Sequence, residues 1–264
     1  MMIQANRLNH VSEYYFSTKL QEVRALEAQG KPIINLGIGS PDLPPPPEVI
    51  EGLNHAMLNP VAHQYQPYKG TTDFRNAIAL FYKNHYNVIL DPAKEILPLM
   101  GSKEGITHIS MAFLNEGDEV LIPNPGYPTY QAVTNMIGAK PVFYSLDEQG
   151  NWLPDLESLE EQDLTKVKLM WVNYPHMPTG AVANEKIFRE LVDFGKKHDI
   201  LIVNDNPYSF ILNDSPTSIL STEGAMEGVL ELNSLSKSFN MSGWRIGMVC
   251  GSEHNLNIIL KVKS

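Results

Sequence analysis

The chain has 264 residues, 20 basic against 30 acidic side chains, a net charge of −10 and a single cysteine. That length allows one large or two modest domains around a sizeable core. The negative balance argues against nucleic acid as the main partner, because phosphate backbones reward clustered cations, and one cysteine excludes both an internal disulfide and a four-thiolate zinc site.

The N-terminus, MMIQANRLNHVSEYYFSTKL, lacks the apolar run of a signal peptide. No stretch approaches ~20 consecutive apolar residues, so no membrane span is expected and a reducing cytoplasm is the default setting. A first helix is expected from about Ser12 to Gln29, with Ser12 as its cap and Gly30 as its stop. An extended arm, PIINLGIGSPD, follows, then LPPPPE, whose four prolines cannot continue a helix or pair as an inner strand.

From there helices alternate with short apolar strands. EVIEGLNHAMLN and TTDFRNAIALFYKNHY read as helices, EILPLMGS as strand and turn, and KEGITHISMAFLN as a helix. EVLIPNP, KPVFYSL, KVKLMWVNYP, ILIVNDN and GVLELNSLS read as strands, with PTYQAVTNMIG and NEKIFRELVDFGKKHD as helices among them. WRIGMVCG, which contains Arg245, is the last expected strand, and SEHNLNIILKVKS begins a helix. Continuous apolar strands between amphipathic helices predict an α/β fold of three layers, a mostly parallel central sheet with helices on both faces. In such sheets ligands sit at the carboxyl ends of the strands.

Polar residues recur at those ends. GSKEG (101–105) follows a strand and opens a helix, so Gly101, Ser102 and Lys103 offer a close backbone approach and a helix N-terminus suited to phosphate. Tyr127, in NPGYPTY, can lay its ring over a flat ligand. Asp205, in NDNPYSF, ends a strand too apolar to hold a carboxylate without a partner, and Tyr208 lies three residues on. In SLSKSFNMSGWRIG, Lys237 stands among Ser234 and Ser236, with Arg245 eight residues later. A nucleophilic amine must be neutral, and a partly buried cationic site favours that state, while arginine binds a dianion bidentately. Each feature taken singly has a bland explanation: a capped turn, a packed tyrosine, a helix-cap aspartate, a solvated lysine. In this order they describe one ligand, a flat, phosphorylated, electrophilic pyridine, which is pyridoxal 5′-phosphate.

SLSKSFNMSGWRIG is the most specific part of a wider likeness. From about Ile34 onward the chain resembles the fold-type I pyridoxal-phosphate aminotransferases of class I/II, the aspartate aminotransferase-like group. The resemblance implies that Lys237 forms a Schiff base with the cofactor, and that Ser234 and Arg245 bind its phosphate with Gly101, Ser102 and Lys103, to which the residue reading adds the hydroxyl of Ser236. It implies further that Tyr127 covers the ring, that Asp205 meets the ring nitrogen and that Tyr208 meets the ring oxygen. YQPYKG matches the motif whose tyrosine, here Tyr65, is lent to the neighbouring site of a homodimer, and LGIGSPD sets Gly39 near the substrate carboxylate. Residues 1–45 are then an N-terminal helix and arm, and 46–264 the cofactor-binding large domain. A C-terminal small domain, which carries the arginine for the substrate carboxylate in this family, is expected to be absent through truncation.

One position departs from the motif. NYPHMPTG has Met177 where the family has an asparagine that bonds the ring oxygen, and the expectation is that Asn173 or His176 substitutes or that Tyr208 holds that oxygen alone. The implied activity is transfer of an amino group from an amino acid to a 2-oxo acid, with Lys237, Asp205 and Tyr208 as its catalytic groups. Carbon–sulfur β-elimination by the same machinery, and a non-catalytic cofactor-binding fragment or ligand-sensing domain, remain as alternatives. No metal is expected: His63, His108 and His176 lack ligand spacing, and Glu157, Glu160 and Glu161 read as a solvated helix face.

Overall fold

The computed structural model describes residues 3, 5–9, 15–36 and 39–264. The expected cap Ser12 and the arm residue Ile38 lie outside that set. Helix α1 (Tyr15–Ala28) ends at Gly30, whose φ of 76° is the left-handed geometry that glycine adopts without strain. Helix α2 (Pro47–Met57) starts with the last of the four prolines at its first position, where a missing N–H costs nothing. A 3₁₀ turn (Pro60–His63) leads to α3 (Thr72–Tyr86), which Thr71 caps through the Phe74 N–H.

The body then alternates as expected: β1 (Ile96–Leu99), α4 (Ser102–Phe113), β2 (Glu119–Asn124), α5 (Pro128–Ile137) and β3 (Lys140–Ser145). After a short α6 (Leu156–Glu160) come β4 (Val167–Val172), α7 (Glu185–His198) and β5 (Leu201–Asp205). One-turn helix α8 (Ala225–Gly228) precedes β6 (Val229–Ser234), one-turn α9 (Leu235–Ser238) follows it, and β7 (Gly247–Gly251) and α10 (Glu253–Lys263) complete the order.

The seven strands form one sheet in the order β1-β7-β6-β5-β4-β2-β3. Only β7 runs against its neighbours. Alternate residues of each strand serve opposite faces: Leu169 and Trp171 of β4 join the cluster under α4, α5 and α10, whereas Met170 and Val172 join the one under α3 and α7. Both faces being apolar explains why the strands read as unbroken hydrophobic runs.

The reversal of β7 matters for function. Registers Leu99↔Gly247 and Ser234↔Gly247 set the beginning of β7 level with the ends of β1 and β6. Arg245, just before β7, is thereby delivered to the edge where the parallel strands finish.

Two local expectations need correction. Strand β6 stops at Ser234, not Ser236, because the Ser234 hydroxyl accepts the Ser236 N–H at 3.1 Å and turns the chain into α9, so Lys237 sits on a helical turn. Arg245 is not on a strand either: it follows the 3₁₀ turn Ser242–Trp244 in left-handed geometry, φ 57°, and the strand begins at Gly247.

Candidate active site

The carboxyl ends of β1, β2, β5 and β6 surround a cleft of about 680 Å³. Ten residues singled out from sequence line it. Ser102 and Lys103 come from the start of α4, Tyr127 from the turn before α5, and Asp205 and Tyr208 from the end of β5. Ser234, Ser236, Lys237 and Arg245 come from the β6–β7 segment, and Gly39 from the arm.

At one end stands an anion cradle. Gly101, φ 86°, precedes the first turn of the twelve-residue helix α4, and a Cβ there would collide with the Arg245 guanidinium. The position therefore requires glycine both for its dihedral and for its space. Arg245 donates from Nη1 to the Ser242 carbonyl at 2.8 Å and from Nη2 to the Met100 carbonyl at 3.2 Å, which uses two of its five donors and locks the fork against the turn. The hydroxyls of Ser234 and Ser236 bond each other at 2.8 Å on the adjoining wall.

Lys237 is half-buried, and desolvation lowers its pKa, enlarging the neutral fraction of its amine. Its Nζ donates to the Gly39 carbonyl at 2.9 Å, across 198 residues of sequence.

Asp205 is 4% exposed. Its Oδ2 accepts the Tyr130 hydroxyl at 2.9 Å, while Oδ1 is buried with no hydrogen-bond partner. Burial pushes the carboxyl up to about 7, with the Tyr130 hydrogen bond opposing. A buried carboxylate oxygen without a donor is a costly arrangement, and here it lies on a cleft wall. A protonated ring nitrogen supplies the missing donor and the counter-charge together. With the cradle at the other end, these residues fit pyridoxal phosphate.

Tyr130 is the main residue that the sequence reading missed. It lies on α5 three residues after Tyr127, fully buried, stacked on Trp171 at 4.8 Å with 6° between ring planes. That stack aims its hydroxyl at Asp205, and Tyr127 meets its edge at 5.6 Å and 85°. Phe16 and Leu20 of α1, and Pro178, also line the cleft and were not assigned to it, while Met177 lines it at the motif position noted from sequence. The i, i+4 spacing of Phe16 and Leu20 was a visible sign of one helix face, but not of which wall it covers.

Two expected ligand residues are placed elsewhere. Asn173 does not line the cleft. Its Oδ1 accepts the Met177 N–H at 2.9 Å and its Nδ2 donates to the Asp205 carbonyl, so it braces the two loops from behind. His176 is buried, with Nδ1 against the Thr179 hydroxyl at 2.8 Å and Nε2 unpartnered, and it too stays outside the cleft wall. Tyr65 is fully exposed, away from this cleft. Among the described residues no metal-binding cluster occurs, and no helix is long and apolar enough to cross a membrane. Glu160 of the acidic run pairs with Lys197 at 2.7 Å and His198 at 3.2 Å on the surface.

Residues 31–264 match the family model "Aminotransferase class I and II". The chain is 40% identical to the LL-diaminopimelate aminotransferase of Halothermothrix orenii over 265 residues, covering 100% of this chain and 68% of that protein. It is 42% identical to the enzyme of the same name from Maridesulfovibrio salexigens, covering 98% of this chain and 68% of the relative. Among solved structures, apo-BacF from Bacillus subtilis superposes with a TM-score of 0.95 at 38% identity, over 100% of this chain and 67% of that one. Thermus thermophilus aspartate aminotransferase with maleate gives 0.92 at 26% identity, over 100% and 68%. The chain therefore belongs to the class I and II aminotransferases, whose chemistry is pyridoxal-phosphate-dependent transfer of an amino group from an amino acid to a 2-oxo acid.

Proposed function

We propose that Lys237 is the amine that takes the cofactor and moves the substrate's α-proton, and that Asp205 and Tyr208 are its catalytic partners. The observation that carries this is the meeting, in one cleft, of a desolvated lysine amine and a buried carboxylate oxygen without a donor. When bound, pyridoxal phosphate supplies an aldehyde for the amine and a cationic ring that withdraws electrons from the α-carbon.

The remaining work falls to the chain. Ser102, Ser234, Ser236 and Arg245, with the α4 N-terminus, hold the phosphate; Lys103 adds charge on the same turn, and Gly101 allows the approach. Asp205, whose carboxyl burial pushes up to about 7, would hold a protonated ring nitrogen as an ion pair, and that cation would favour its ionised form. Tyr130 and Asn173 position Asp205, one through its side chain and the other through its carbonyl. Tyr127 covers the ring, and Tyr208 donates to the ring oxygen without an asparagine at 177. Lys237 Nζ, in its neutral form, would be the base that takes and gives back the substrate's proton. Gly39 on the arm adjoins the substrate carboxylate.

Residues 46–264 are proposed as the large domain, with 1–45 as helix and arm. A homodimer is proposed as well, with Tyr65 reaching the partner's site; exposed Ile50, Leu53 and Met57 on α2 give it an apolar face. A cytoplasmic setting is supported by the single cysteine, Cys250, which is buried and free.

The test is chemical trapping. After incubation with pyridoxal phosphate and borohydride, digestion and mass spectrometry should place the pyridoxyl label on Lys237. A label on another lysine overturns the assignment. Product analysis then separates transfer, which leaves the cofactor in its amine form, from elimination, which releases ammonia.

A further inference from the structure

One wall of the cleft comes from neither the sheet nor its loops. Phe16 and Leu20, one turn apart on α1, face the same space as Lys237. Gly39 joins them, and its hydrogen bond from Lys237 Nζ at 2.9 Å sets the arm beside the amine. Met177 and Pro178 add further apolar lining. A thioether accepts hydrogen bonds weakly and donates none.

Among the described residues, charge is confined to other parts of the cleft. Lys103 follows Ser102 on the first turn of α4, and Arg245 is bonded to Met100 just before that turn, so both belong to the phosphate end. Asp205 lies on the cleft wall with Tyr130 bonded to it from behind, at the place assigned to the ring nitrogen, and Lys237 is the reacting amine. The wall of Phe16, Leu20 and Met177 thus contributes no charged partner to a second amine or carboxylate on the substrate. Burying such a charge unpaired costs far more than burying a hydrocarbon group returns.

Resting on the aminotransferase reading above, we infer that the amino donor has an apolar or aromatic side chain, received by Phe16, Leu20 and Met177. The substrate class therefore differs from that named for the LL-diaminopimelate relatives, whose donor carries a second amine and a second carboxylate.

The experiment loads the protein with pyridoxal phosphate and follows single-turnover conversion by absorbance with L-phenylalanine, L-leucine, L-aspartate and LL-diaminopimelate. The apolar donors should lead in kcat/KM by about tenfold or more. Phe16→Ala and Leu20→Ala should raise KM for L-phenylalanine with little change in kcat, and by several-fold more than they change KM for L-aspartate. Helix α1 buries no residue, so these variants keep the fold. Calorimetry with the unreactive acids 3-phenylpropanoate and succinate reads the same wall without turnover: the former should bind more tightly and weaken in the double variant. The inference is overturned if L-aspartate or LL-diaminopimelate is the better donor, or if 3-phenylpropanoate binds the double variant unchanged. Should borohydride label Lys237 while polar donors win, this inference alone falls. Should no donor convert the cofactor and Lys237 stay unlabelled, the aminotransferase reading falls with it.

Discussion

The strands from Ile96 to Gly251 bury apolar side chains on both faces of one sheet, whereas α1, α2 and the turn Pro60–His63 bury none. The two regions meet at the cleft: the strand ends and the segments that follow or precede them supply Lys237, Asp205, Tyr208 and the phosphate cradle, and α1 supplies part of the wall that meets the substrate. Groups that must be held within fractions of an ångström come from strand ends anchored in a close-packed core. The segment with little burial of its own is free to differ in side chain without cost to the fold, which suits a specificity wall.

Substitution on either side breaks or sharpens this contrast. The largest effect belongs to Lys237→Ala, which should lower the transamination rate by about 10⁴-fold or more while leaving the melting temperature nearly unchanged. Retained turnover would remove Lys237 as the base. Asp205→Ala comes next, with a rate loss of roughly 10²–10³-fold at saturating cofactor; an unaltered single-turnover rate would remove its role at the ring nitrogen.

Within the body, Leu191→Ala on α7 should cost about 2–5 kcal/mol in a denaturant titration, because a fully buried leucine leaves a cavity in the core beneath that helix. On α2, Leu53→Ala should cost under about 0.5 kcal/mol in the same titration, since that side chain is 44% exposed. Equal losses at the two positions would contradict the division.

Tyr130→Phe lies between these in size and tests the floor of the site by pH. In the cofactor-free protein Asp205 has a raised pKa, about 7, so between about pH 4 and 7 the folded state holds a proton that the unfolded state has released. Its contribution to stability is therefore greatest at low pH and falls as pH rises through that window. Tyr130→Phe removes the hydrogen bond that opposes the shift, so the decline should extend to higher pH. Asp205→Asn should abolish it. Melting curves across pH read both, and a wild-type profile in Tyr130→Phe would mean that the hydroxyl does not act on the carboxylate.

Much of this molecule was legible in advance because the information was local. A strand buried on both faces needs an unbroken apolar run, and a cap or turn needs particular residues within four positions, so the order of β1 to β7 could be read along the chain. The same locality exposed the site: a polar residue directly after an apolar strand stands at the sheet edge whatever its neighbours are. Short-range hydrogen bonding still moved boundaries, as where the Ser234 hydroxyl ended β6 two residues early.

Sequence by itself determined the α/β layering, the cluster of cleft residues at the strand ends, and the family with its cofactor. Tertiary structure alone decided which groups touch: Tyr130 on Asp205 across 75 residues, Gly39 on Lys237 across 198, Asn173 bracing loops behind the cleft, and α1 forming part of its wall. Such pairings follow from strand order, the reversal of β7 and ring stacking in the core, and these have no signature in any short window of residues.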